Sequence, residues 1–171
     1  MQLTAGRSLA DARRFVERLD FVASHEGIEL QLPGSSYAGR VTGEPLDPGV
    51  IELAGRVFDL ARGGRTEELV SYLEAGVPVN LTNDKGDTLL LLAAYHGHPE
   101  TVGALLDRGA DHARANDRGQ TALAAAVFRQ STETVTRLLA AGADPDGGGP
   151  SARATATFFD LPAMVELLDG R

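Results

Sequence analysis

The chain has 171 residues, 43% of them hydrophobic and 23% charged, no cysteine and a formal net charge of −8, a soluble globular composition that excludes disulfide frameworks, Cys-based zinc sites and thiol nucleophiles. Acidic residues exceed basic ones, and of the 16 basic residues only Lys85 is lysine, which argues against a nucleic-acid partner because neutralised phosphates supply most of that affinity. The longest apolar runs, Leu89 to Tyr95 and Ala122 to Phe128, have seven residues each, far short of the roughly 20 that span a bilayer; the first fifteen residues hold no apolar signal core, so no membrane contact and a cytoplasmic location are expected.

Ser8 with Asp11 three positions on reads as a helix start, and Leu9, Ala12, Phe15, Val16, Leu19, Val22 and Ala23 form one apolar stripe, which predicts an amphipathic helix over roughly 8 to 25. Ile28, Leu30 and Leu32 then alternate with Glu29 and Gln31. Pro33-Gly34-Ser35-Ser36 signals a turn, and Tyr37 to Thr42 can return as the second strand of a β-hairpin. Gly43-Glu44-Pro45 and Asp47-Pro48-Gly49 read as the joint to the remainder of the chain. Residues 1–45 are too few to form a core of their own, so they should pack on the rest of the chain or on a partner.

From residue 46 the chain repeats itself. Asn83-Asp84-Lys85-Gly86-Asp87-Thr88 returns 33 positions later as Asn116-Asp117-Arg118-Gly119-Gln120-Thr121, and Leu105-Leu106 through Gly109-Ala110-Asp111 returns as Leu138-Leu139 through Gly142-Ala143-Asp144. A step backwards puts Ala61, Gly64, Leu73 and Gly76 under Ala94, Gly97, Leu106 and Gly109. A step forwards matches Leu138 with Leu167, which is 29 positions on and implies four residues lost around Asp146-Gly147-Gly148-Gly149. Four copies result, at 50–82, 83–115, 116–147 and 148–171. Within the second, Thr88 can cap a helix of Leu89 to His96, Gly97 breaks it, Pro99 and Glu100 open a second helix, and Gly109 ends that helix as a left-handed residue. Leu90, Ala93, Ala94, Val102, Leu105 and Leu106 lie on faces that one helix pair cannot bury alone, so the copies must stack.

These motifs resemble the ankyrin repeat family over residues 46–171. Gly86-Asp87-Thr88-Leu89-Leu90-Leu91, Ala93-Ala94-Tyr95-His96-Gly97-His98 and Leu105-Leu106-Asp107-Arg108-Gly109-Ala110-Asp111 stand where the family has its three signature stretches. The first signature's Pro and His are replaced by Leu89 and Leu91 in copy two and by Ala122 and Ala124 in copy three; copy one has Leu53 and Gly55 where the hairpin Gly and Thr belong, as a terminal unit would. The resemblance implies a mainly α solenoid of about four helix-turn-helix repeats joined by short hairpins, preceded here by the helix and hairpin of residues 1–45. It further implies a concave face on which Asp84, Lys85, Asp87, Tyr95, His96, Asp117, Arg118, Gln120, Phe128 and Arg129 contact a partner protein.

A search for chemistry favours binding over catalysis. His96, His98 and His112 fall on different sides of the repeat, and the family's Gly-His position gives His98 a backbone-bonding role, so no metal site is expected. There is no nucleophile elbow, and Lys85 is followed by Gly86 rather than Ser or Thr, so neither a hydrolase nor a phosphate-binding loop is supported. Asp84, Asp87, Asp111, Asp117 and Asp144 recur at turn positions that suit short polar side chains. No cofactor and no catalytic residue are expected. Residues 46–171 carry 11 basic against 18 acidic side chains, which favours a partner with a basic patch. Two other readings remain: an enzyme site between the stack and His25, Glu26 or Glu29, and an N-terminal segment that occupies the groove as an internal ligand.

Overall fold

The computed structural model describes residues 48–170; the helix expected over 8 to 25, the hairpin after it and His25, Glu26 and Glu29 lie outside the described residues. Among the described residues eight helices run in order: α1 (Pro48–Arg62), α2 (Thr66–Glu74), α3 (Leu89–His96), α4 (Pro99–Leu106), α5 (Ala122–Phe128), α6 (Thr132–Ala140), α7 (Ala152–Phe158) and α8 (Pro162–Leu168). They form four consecutive pairs. The odd-numbered helices pack on one another in an inner row, the even-numbered ones in an outer row, and each inner helix also packs on its own outer partner. None of these helices is long and apolar enough to cross a membrane.

Composition explains which helix lies in which row. Every residue from Leu89 to Ala94 and from Ala122 to Val127 is buried, and a helix that is apolar all round needs neighbours on every side. α3 and α5 have them: an inner neighbour on each flank and an outer helix behind. Ala93, Ala94, Ala125 and Ala126 are fully enclosed, their small side chains letting the helices approach closely. The outer helices bury only one stripe each, Leu69 and Tyr72 in α2, Thr101, Val102 and Leu105 in α4, Thr134, Val135 and Leu138 in α6, and Met164 and Leu168 in α8. Each buried leucine of this kind contributes about 1.5–3 kcal/mol relative to exposure.

The ends of the inner helices are set locally. The hydroxyl oxygens of Thr88, Thr121 and Ser151 accept hydrogen bonds from the backbone N–H of Leu91 at 3.0 Å, Ala124 at 3.2 Å and Ala154 at 3.1 Å, each such cap being worth about 1 kcal/mol. Gly97 closes α3 in the left-handed region at φ 75°. The same position is held by Gln130 at φ 55° and Asp160 at φ 50° after α5 and α7. Pro99 and Pro162 open outer helices at a first-turn position where a missing N–H costs nothing.

Two expectations need correction. The Asp47-Pro48-Gly49 joint is in part helix, because Pro48 suits a first turn; α1 then runs for 15 residues straight through Leu53 and Gly55. The fourth copy has lost three residues rather than four. Thr121 and Ser151 cap equivalent helices 30 positions apart, and the buried Leu138 corresponds to the buried Leu168 rather than to Leu167. The short hairpin turns are as expected, with isolated bridges joining Thr82 to Thr88 and Gly148 to Ser151. In the corrected register Arg153 of α7 stands where α3 and α5 place the buried Leu90 and Leu123. Its guanidinium bridges Asp146 at 3.1 Å and Asp169, and Ala154 and Thr157 beside it are exposed.

Candidate functional site

Two sets of side chains reach solvent along the inner row, one at the hairpin tips and one at the C-terminal ends of the inner helices. At the tips, Asn83 Oδ1 accepts from the backbone N–H groups of Lys85 and Asp87, both at 2.9 Å, and Asn116 Oδ1 repeats this with Arg118 at 3.0 Å and Gln120 at 2.9 Å. Asparagine at the start of a turn supplies the acceptor that a backbone carbonyl would otherwise provide. Successive hairpins are joined edge to edge. The Asp117 N–H donates to the Lys85 carbonyl at 3.0 Å, and the Gly149 N–H to the Gly119 carbonyl at 2.8 Å. Gly119 must be glycine here, since a Cβ would run into the Gly149 carbonyl.

The tip residues divide by role. Lys85, Asp117 and Arg118 are exposed, and neither the Lys85 ammonium nor the Arg118 guanidinium has a partner among the described residues. Asp84 and Gln120 are half-buried, with Asp84 Oδ1 enclosed and without a hydrogen-bond partner. Asp87 is set deeper than the other tip residues. It is only 5% exposed, and its carboxylate accepts from Asn83 Nδ2 at 3.1 Å and from Asn116 Nδ2 at 2.7 Å. Its place is between two hairpins, where it ties them together.

At the other end of the inner helices the structure brings together Tyr95, His96, Phe128 and Arg129, and adds Phe158 and Phe159. The rings of Tyr95 and Phe128 are stacked, with centroids 6.1 Å apart and planes 8° from parallel; Phe128 meets Phe159 edge-on at 5.3 Å, and Phe159 meets Phe158 edge-on at 5.0 Å. All four remain open to solvent, Tyr95 by 38%, Phe128 by 40%, Phe159 by 49% and Phe158 by 83%. Phe128 therefore both joins neighbouring copies and faces outward. The sequence reading carried contact positions only into the second and third copies and so did not reach Phe158 and Phe159; a step of 30 puts Phe158 under Phe128 and Phe159 under Arg129. Past Phe158 lies an open depression of about 530 Å³ lined also by Asp146, Ser151, Arg153, Ala154 and Thr157.

The two adjacent histidines have different roles. The Nε2 of His98 lies 2.8 Å from the Arg62 carbonyl. A carbonyl can only accept, so this nitrogen carries the proton, and the ring fastens the second copy to the loop of the first. His96 is exposed, and its ring meets Tyr95 edge-on at 5.4 Å. Partial burial, and then the positive charges of His98, Arg62 and Arg129, hold its pKa below the ordinary 6.5. His112 lies away from both, its Nδ1 enclosed without a partner. Among the described residues no three His, Asp or Glu side chains are grouped as a metal would require.

Comparison with known proteins is consistent with this geometry. The family described as ankyrin repeats (3 copies) matches residues 58–147. A Pseudomonas aeruginosa protein named as an ankyrin repeat protein is 51% identical over 57 residues, which is 33% of this chain and 33% of that one. The chain thus spans about a third of the length of this curated relative.

Proposed function

The chain belongs to the ankyrin repeat family, whose members generally mediate protein–protein interaction, and on that premise we propose that it is a non-enzymatic cytoplasmic module that binds a partner protein through the hairpin tips and the exposed ends of its inner helices. The observation that carries this reading is the continuous strip of four solvent-facing aromatic rings. Scattered exposed apolar residues are ordinary, whereas a contiguous patch marks a contact surface. Tyrosine, phenylalanine and arginine are enriched in such surfaces, tyrosine and arginine especially at the energetic centres; Arg118 at a hairpin tip and Arg129 next to Phe128 are both exposed, with no side-chain partner among the described residues.

The acidic balance of the chain is unevenly distributed. The four outer helices carry Glu67, Glu68, Glu74, Glu100, Glu133 and Glu166 against the single Arg137. The attraction of a basic patch on the partner therefore belongs to the outer rows, where it steers approach over long range. The test is calorimetry against a partner captured by cross-linking. Tyr95→Ala and Arg118→Ala should each weaken binding by about 1–3 kcal/mol, while Arg108→Ala on the outer side leaves it nearly unchanged. Arg108 pairs with Glu74 of the preceding copy at 3.1 Å, and Arg137, the other outer arginine, has its guanidinium directly over Gly103, so a thermal melt accompanies the control. Equal losses from all three variants would redirect the assignment to the outer helices.

A further inference from the structure

We infer that the α7 end of the stack is a self-association surface, on which Phe158 of one chain seats in the open depression of a second chain and receives that chain's Phe158 in return. The inference goes beyond the partner-binding reading. It gives Phe158 a contact of its own and leaves Tyr95, Phe128 and Arg118 to the partner.

The first ground is exposure. Of the four rings in the strip, Phe158 alone is largely uncovered, at 83%, and its ring contact is the edge-on one with Phe159. The flank of α7 next to it is open as well. In α3 the positions equivalent to Arg153 and Thr157 are Leu90 and Ala94, and in α5 they are Leu123 and Val127, all four buried, whereas Ala154, Thr157 and Phe158 are exposed.

The second ground is shape. The depression of about 530 Å³ is bounded by Phe158 itself and by Asp146, Ser151, Arg153, Ala154 and Thr157. A cavity of about 150 Å³ takes a benzene ring, so a phenyl ring and the backbone that carries it have room. A projecting ring beside a hollow is what a two-fold contact requires: each chain supplies the ring that fills the other's hollow, and the contact closes on itself at two chains. An unlike partner would leave either the ring or the hollow unmatched unless it carried the same pair of features.

The third ground is charge and area. Arg153 is bridged to Asp146 and Asp169, so the wall of the hollow holds no unpaired cation that would select an acidic ligand, and it supplies a guanidinium to an incoming ring. Asp160, exposed after Phe159, adds to the net charge of −8 by which two chains repel one another. A phenylalanine ring buries about 150–250 Å² when fully covered; at the observed exposures of Phe158 and Phe159 the two supply about 200–330 Å² per chain. The walls of the hollow add to this, against about 800 Å² per partner in a standard interface. The dimer is therefore of the weak, reversible class.

Sedimentation velocity on the full chain, from about 5 µM to about 1 mM, tests this, because an interface of that class corresponds to a dissociation constant of about 10–500 µM. The expected result is a monomer–dimer equilibrium with no larger species. Phe158→Ser and Ala154→Arg should each raise the dissociation constant at least about tenfold, Tyr95→Ala by less than about twofold, and thermal melts of all three confirm the fold. Raising the salt from about 0.1 M to about 0.5 M should leave the dimer unchanged or strengthen it, since screening relieves the repulsion of two acidic chains. A wild type that stays monomeric throughout, a dimer indifferent to Phe158→Ser, open-ended assembly, or a dimer dissolved by salt would each overturn the inference and leave the partner-binding reading in place. Equal weakening by Tyr95→Ala would also overturn it, and would transfer the whole strip from the partner to self-association.

Discussion

Replacing Asp87 with alanine separates a structural role from a ligand-contacting one at a single position. In the folded chain the Asp87 carboxylate accepts one hydrogen bond from Asn83 Nδ2 at 3.1 Å and another from Asn116 Nδ2 at 2.7 Å, both among buried groups. Hydrogen bonds to a charged group contribute about 1.5–3 kcal/mol each, and a buried donor stripped of its acceptor keeps its desolvation cost. Water at the adjoining exposed tip replaces part of both, so Asp87→Ala should lose about 2–4 kcal/mol in total. For a chain of this length that lowers Tm by about 5–12 °C. Asp87→Asn retains one acceptor oxygen and should fall between the wild type and the alanine variant. Circular dichroism at 222 nm across a thermal ramp reads all three. A Tm within 1 °C of wild type, combined with lost partner affinity, would refute the argument and return Asp87 to the binding face.

The left-handed position after the inner helices gives a prediction of opposite sign. Gln130→Gly should raise stability by about 0.5–1 kcal/mol, because a Cβ in that region is strained, although glycine gives part of the gain back through the unfolded chain; Gly97→Ala, whose Cβ would meet nothing within 4 Å, should lose about 1 kcal/mol from the backbone alone, and urea midpoints for both are the check. The pKa of His96 is held below 6.5 in the folded chain, so as the pH falls the unfolded chain takes up the proton first. Its contribution is therefore complete above pH 6.5 and is lost as the pH drops below that value through the folded pKa. Stability measured from pH 7.5 to 5 should decline less steeply in His96→Gln, and an unchanged slope would remove His96 as a source of the decline.

Much of this architecture is written in short-range signals. The 33-residue step, the capping Thr88 and Thr121, the left-handed Gly97 and the continuous apolar runs of α3 and α5 are all legible because each depends on residues a few positions apart, and repetition makes the same signal readable more than once. The helix pairs and their stacking follow from those signals, since such faces have no other way to leave water. Where a copy departs from the pattern the reading slips: the shortened fourth hairpin moved the register of that copy by one residue, and the joint at Asp47-Pro48-Gly49 is already the start of α1.

Only the tertiary structure decided which groups from different copies become neighbours. Asp87 looks like an exposed turn residue until Asn116, 29 positions away, is brought to its carboxylate. Stacking likewise sorts the carboxylates of Glu67, Glu74, Glu100, Glu133 and Glu166 onto the outer row and brings Tyr95, Phe128, Phe159 and Phe158 from three copies into one run of ring contacts. The physical reason is common to both cases. A local pattern fixes whether a residue is helical and which side of its own helix it occupies, whereas burial, hydrogen-bond partners and the local field are set by whatever the next copy places alongside, one helix spacing of about 8–10 Å away and some thirty residues along the chain.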